Sequence, residues 1–214
     1  MQDTDQSLRR KQEILKGAFS ALIKNGLPSL SFDVIAKEAG LSRQLVRYHF
    51  PDDEALMIAL CDFLAAQYRD ALIAKVMKTE GKDRLEIFLD YYFDLLEDMP
   101  KPRDDQVYDA LMSLSAGSQK IRDTLRENYS FLGQVISHEF ELQFPSLGSR
   151  ESKELSYLFV CLMYGHWKMV ASLGLSEDHK HITRQAMDRL IQSYVSKSVP
   201  LGNLVATWQQ EGAN

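Results

Sequence analysis

Hydrophobic residues recur three and four positions apart along nearly the whole chain, and no stretch alternates as a half-buried strand does, so the sequence predicts an all-α protein. From about Gln6 to Asn25, an apolar stripe of Ile14, Leu15, Ala18, Phe19, Leu22 and Ile23 marks a first helix that Asn25-Gly26 ends. A short second helix is expected over Phe32–Ala39, with Ser31 as N-cap, Asp33 opposing the positive end of the dipole, and Phe32, Ile35, Ala36 and Ala39 inward. The small Ala36 and Ala39 let another helix come close. Gly40 supplies a left-handed stop, Leu41 plugs the corner, and Ser42 caps a third helix that turns Val46 and Phe50 inward. Pro51 interrupts, and Asp52 caps a long helix to about Lys78 carrying Leu56, Leu60, Phe63, Leu64, Leu72 and Val76. This rod is expected to join the head to the remainder.

Gly81 restarts the chain, and further helices are predicted from Asp83 to about Met99, from about Asp104 to Ala116, and from about Ser118 to Phe144, with Gly117 and Gly133 as joints or kinks. Two long ones follow, from about Arg150 to Leu173 and from about Glu177 to Lys197. The first is apolar on two sides: Leu155, Leu158, Phe159, Leu162, His166 and Met169 on one, Tyr157, Cys161, Tyr164 and Ala171 on the other. The second sets Ile182, Ala186, Met187, Leu190, Ile191, Tyr194 and Val195 against Arg184, Asp188, Arg189 and Gln192. These two helices are expected to meet their copies around a two-fold axis as a homodimer, the alternative being that they bury each other within one chain. The tail from Pro200 to Asn214 offers one apolar cluster, Leu201, Leu204, Val205 and Trp208, as a further turn packed on the body.

The third helix is left with Arg43, Gln44, Arg47 and Tyr48 on its outer face. Arginine bonds a guanine edge bidentately, glutamine an adenine edge, and tyrosine a phosphate oxygen, so these are the side chains a major groove selects. Periodicity alone fits an ordinary helical bundle equally well. The residues Ser31, Ile35-Ala36, Ala39-Gly40, Ser42 and Tyr48-His49-Phe50, followed by Glu54-Ala55-Leu56, carry more: this segment resembles the TetR family of bacterial transcriptional regulators, closely over the first quarter of the chain and in outline beyond it. The resemblance implies a three-helix helix-turn-helix DNA-binding domain over 1–52, and a larger helical ligand-binding and dimerisation domain over 53–214. It implies DNA contacts at Ser42, Arg43, Gln44, Arg47, Tyr48 and His49, and no cofactor. The chain departs from the family at Arg47, where a tyrosine is usual, and at Asp53, where a lysine is usual.

Charge sharpens the division. The chain of 214 residues has a formal net charge of -5, yet 1–50 hold eight cations against five anions, a net +3, which leaves -8 for the rest. A basic head on an acidic body suits a protein that touches double-stranded DNA with one end. Arg9, Arg10 and Lys11 are placed to add sequence-blind phosphate contacts. Cys61 and Cys161 sit in apolar helical stretches without metal-like spacing and read as reduced core residues of a cytoplasmic protein. The start, MQDTDQSLRR, lacks the apolar core of a secretory signal, and no run approaches the roughly 18 apolar residues of a membrane span.

No phosphate loop, nucleophile elbow or paired-cysteine motif occurs in the sequence, so an enzyme is not expected. His179 and His181 read as a solvated helix end and not as metal ligands, and His166 beside Trp167 as a core or interface histidine before a catalytic one. The body is rich in aromatic and Met side chains. Most would be core, but Tyr91, Tyr92, Tyr108, Met112, Tyr129, Tyr164, His166 and Trp167 are the candidates to line a pocket for a small apolar or aromatic effector of unknown identity. Together these readings point to a ligand-responsive, dimeric DNA-binding regulator, a repressor by expectation. The rival is a TetR-like helical protein that acts through a protein partner, kept open by Arg47 and Asp53.

Overall fold

The structure, a computed structural model, describes residues 2–76, 84–197 and 208. Among these the chain forms α1 (Gln2–Asn25), a 3-10 turn (Leu27–Ser29), α2 (Phe32–Ala39), α3 (Arg43–His49), α4 (Asp53–Val76), α5 (Arg84–Tyr92), α6 (Asp105–Ser115), α7 (Gln119–Gln143), α8 (Ser149–Leu173) and α9 (His179–Val195). No strand occurs among the described residues. The expected helix end near Lys78, the restart at Gly81, and the tail cluster Leu201, Leu204 and Val205 lie outside them.

The chain divides into two compact units, one of 1–70 with 103–128, the other of 71–102 with 129–214. In the first, Ile14, Ala18, Ala21 and Leu22 of α1 are buried, while Ile23, expected in the stripe, faces out because the buried arc is narrower than the apolar run. Gly17 lies on the same buried side. A Cβ there would stand 2.7 Å from the Ala39 Cβ and 2.9 Å from the Ala39 backbone nitrogen, so the close approach expected at Ala39 is to α1 and depends on Gly17. Gly40, at φ 66°, closes α2: its N–H donates to Lys37 O, and the Leu41 N–H reaches back to Ala36 O at 2.9 Å. Side-chain caps start α2, α3 and α4, with Ser31 Oγ, Ser42 Oγ and Asp52 Oδ1 accepting from the amides of Val34, Leu45 and Ala55.

The stretch 103–128 is held to the first unit by polar contacts as well as packing. Glu54, in the first turn of α4, accepts from Ser118 Oγ at 2.6 Å and Lys120 Nζ at 2.9 Å. Buried Tyr68 donates to Asp104 Oδ1 at 2.7 Å, and Asn128 Nδ2 donates to Asp62 at 3.3 Å.

The second unit departs from expectation in four places. α5 stops at Tyr92 and not near Met99, because Asp94 takes the left-handed conformation, φ 56°, and the Leu95 N–H bonds Asp90 O at 2.8 Å. Its carboxylate then accepts from the Lys101 N–H at 2.7 Å, a bond a glycine there could not make. α7 runs through Gly133 without a break, and the missing side chain makes room for the Trp208 ring. Cys61 is buried but Cys161 is exposed, since the row it shares with Tyr157 on α8 faces outward. Arg184, assigned to the polar side of α9, is buried instead, its guanidinium held by Glu86 and Asp90 of α5 and by Asp188. Three carboxylates replace the water this cation gives up.

Candidate functional site

α3 is a seven-residue helix whose orientation is set by the Gly40 corner and whose start is set by Ser42. Val46 and Phe50 are buried, and Arg43, Gln44, Arg47 and Tyr48 are exposed, Tyr48 to 80%. All four therefore stand where a groove could meet them. Ser42, also exposed, already spends its oxygen on the cap, which leaves its hydroxyl hydrogen for a phosphate. His49 is half-buried, its ring edge-on to Tyr48 at 5.1 Å. Burial, with Lys11 and Arg10 nearby, holds its pKa below the ordinary 6.5, so α1 brings two cations to the end of α3.

Of the two arginines of α3, one meets an acid and the other an aromatic ring, both from the first turn of α2. Arg43 Nη1 lies 3.0 Å from Asp33 Oδ2, and the Arg47 guanidinium lies over the Phe32 ring at 5.8 Å. Between them opens a hollow of about 350 Å³ lined by Leu30, Ser31, Phe32, Asp33, Arg43, Arg47, Pro51, Asp52 and Asp53. Asp53, the unusual acid, thus faces the same hollow as Arg43 and Arg47. The contribution of Asp33 was not legible from its place in a helix first turn, which already explains an acid there.

In the second unit an aromatic cluster gathers Tyr92, Phe93, Phe159, His166 and Trp167. Phe159 is fully buried with its ring 5.7 Å from Tyr92 and 5.9 Å from Phe93, and Trp167 Nε1 donates to Tyr92 O at 2.8 Å. The Lys101 ammonium sits over the Trp167 ring at 4.5 Å although the residue is only 4% exposed. Nothing but a Pro-Lys-Pro loop in the sequence hinted at it. Tyr91 adjoins Tyr92, and Tyr129 and Tyr164 form a separate edge-to-face pair. Tyr108 and Met112 belong to α6 in the first unit, where Tyr108 packs against Tyr68, so the eight candidate ligand residues are divided between the two units.

His166 shows the most defined chemistry of that cluster. Thr183 Oγ1 stands 3.1 Å from His179 O and 3.4 Å from His166 Nδ1. His166 Nε2 is buried and meets no hydrogen-bond partner among the described residues. Burial, followed by His179, Lys101 and Lys180, pushes the His166 pKa below 6.5. The unfolded chain takes up these protons first, so stability conferred by neutral His166 and His49 is present above about pH 6.5 and is lost as the pH falls toward their folded pKa values. The melting temperature should decline as the pH falls below about 6.5, and His166→Asn should flatten part of that decline. An unchanged slope would assign the loss to other groups. His179 and His181 are exposed, and the described residues contain no group of three or more side chains placed to hold a metal ion. No helix among them is long and apolar enough to cross a membrane.

The comparisons with known proteins agree with this arrangement. Residues 14–60 match the family described as bacterial regulatory proteins, tetR family. The chain is 23% identical over 206 residues to the HTH-type transcriptional regulator BetI of Escherichia coli O17:K52:H18, covering 91% of this chain and 96% of that protein. A TetR transcription regulator from Haloarcula marismortui superposes with a TM-score of 0.74 at 17% identity, over 87% of this chain and 98% of that one. A putative transcriptional regulator from Saccharomonospora viridis, solved in complex with choline, gives 0.68 at 22% identity, over 85% and 95%. At these identities the two structures speak for the fold.

Proposed function

Since the chain belongs to the TetR family, we propose that it is a transcriptional repressor that binds a near-palindromic operator as a dimer and is released by a small-molecule effector. One observation carries this reading: a capped, corner-fixed α3 that buries Val46 and Phe50 and turns Arg43, Gln44, Arg47 and Tyr48 to solvent. Ser42 and His49 flank that face. In this reading 1–52 read DNA, 53–214 bind the effector and dimerise, and the protein works in the cytoplasm without a cofactor.

Dimerisation through α8 and α9 is supported by apolar side chains left on their outer faces. Met169 is 47% exposed, Leu173 67% and Ile182 59%, beside half-exposed Tyr157, whereas Met187 and Ile191 are buried within the chain. Two copies would then present α3 to successive major grooves about 34 to 36 Å apart. The effector reading is supported by the aromatic cluster around Trp167 and by the choline found in the Saccharomonospora relative. An effector acts by binding the state whose reading helices no longer match that spacing more tightly than the state that does.

Selection of bound fragments from the source genome tests the proposal. A recurrent palindrome is expected, and recovery indifferent to sequence would favour a helical protein that works through a protein partner. On the recovered operator, Arg43→Ala or Gln44→Ala should lower discrimination at one base pair of each half-site by about 1 to 3 kcal/mol. Unchanged preferences in both variants would remove them as readers.

A further inference from the structure

We propose that Asp33 is a positioning residue for Arg43, so that the first turn of α2 fixes the direction in which the arginine of the reading helix meets a base edge. The inference rests on the reading of α3 as the DNA-recognition helix. Arg43 is the first residue of α3, and its long side chain would otherwise sample many rotamers. Nη1 lies 3.0 Å from Asp33 Oδ2. A guanidinium presents a second edge, Nε with Nη2, and that edge remains for two parallel bonds to a guanine.

Both partners are about half exposed, 52% for Arg43 and 64% for Asp33, so the pair adds little to stability and its effect is on orientation. The same turn also backs the second arginine, because Phe32 lies beneath Arg47 at 5.8 Å and both arginines line one hollow. Asp33 has a further consequence of opposite sign. Its charge occupies Arg43, which keeps that cation from pairing with phosphates at any sequence. Removing the carboxylate should therefore weaken discrimination while strengthening sequence-blind binding. A purely structural residue would not move the two in opposite directions.

The experiment uses the full chain, the selected operator, operators with single base-pair changes, and unrelated DNA, each titrated at several salt concentrations. Arg43→Ala should lose discrimination at one base pair by roughly 5- to 150-fold. Asp33→Ala should lose roughly threefold or more at that same base pair, tighten on unrelated DNA, and steepen the salt slope by about one as Arg43 is freed to meet a phosphate. Asp33→Glu should retain discrimination. In an Arg43→Ala background, Asp33→Ala should no longer affect that base pair. Asp33→Asn, which preserves shape at the helix start, guards against a folding artefact and carries the same expectations as Asp33→Ala. Full discrimination in both Asp33→Ala and Asp33→Asn, or an equal loss with and without Arg43, overturns the assignment to Asp33 alone. An Arg43→Ala protein that discriminates like the parent removes Arg43 as a reader and the role of Asp33 with it, whereas recovery of DNA indifferent to sequence overturns the reading of α3 itself.

Discussion

Gly17→Val should abolish operator binding and lower the unfolding temperature sharply, although residue 17 lies in the middle of α1 and outside the reading helix. Even the first added carbon of such a side chain meets Ala39 Cβ at 2.7 Å and its backbone nitrogen at 2.9 Å. The backbone nitrogen cannot rotate away, so α1 and α2 must part. Overpacking of this kind costs about 1 to 3 kcal/mol for small additions, and the larger valine should exceed that. For Gly17→Ala the better helix propensity of alanine returns roughly 0.5 to 1 kcal/mol, so a smaller net loss is expected. Ala39→Gly should recover part of the Gly17→Ala loss, since it removes the Cβ and leaves the backbone nitrogen and Cα in place. Denaturant melts of the four proteins in the cycle, together with operator titrations, measure this. If Gly17→Ala proves as stable as the parent, α1 and α2 are free to separate and the close contact is not a requirement of the fold.

The second large effect is expected at Phe159. It is fully buried in α8, edge-to-face with Tyr92 at 5.7 Å and Phe93 at 5.9 Å. Phe159→Ala should cost about 3 to 5 kcal/mol, a large share of the roughly 5 to 15 kcal/mol that folded domains have in hand. The space left would be lined by Tyr92 and Phe93 rings, so benzene added to the variant should raise its melting temperature more than that of the parent. Phe159→Leu should lose distinctly less. A Phe159→Ala protein within 1 kcal/mol of the parent would mean that the cluster around it collapses freely, which contradicts a rigid aromatic floor.

How far the sequence foretold these features depends on the range of the forces concerned. The caps at Ser31, Ser42 and Asp52 and the left-handed stop at Gly40 were legible because each is decided within five residues by side-chain type. The exposed face of α3 followed from the same local reading. Asp94 escaped because a left-handed aspartate has no distinctive neighbourhood, and the amide it serves, that of Lys101, lies seven residues on. Gly17 carries no local mark of its role, because what makes it necessary is Ala39, twenty-two positions on. Arg184 looked like a solvent-facing cation since the acids that draw it inward, Glu86 and Asp90, stand 98 and 94 residues away in the chain. Cys161 and Met169 show the limit of reading a helix that is apolar on two sides: the pattern demanded cover for both, and could not tell which side the chain itself would cover. Lys101 over Trp167 combined a charged residue with a buried place, a pairing no hydrophobic pattern anticipates.

The return of 103–128 to the first unit bears on how this protein can be recombined. A head exchanged between relatives as a cassette ending at Asp70 would leave Glu54 without Ser118 and Lys120, Asp62 without Asn128, and the buried Tyr68 hydroxyl without Asp104. The transferable piece is therefore discontinuous. On the proposed reading, new operator preferences travel more safely as substitutions on the surface of α3, together with their backing residues on α2, than as a block of chain, because the polar partners of α4 are encoded 36 to 66 residues further on.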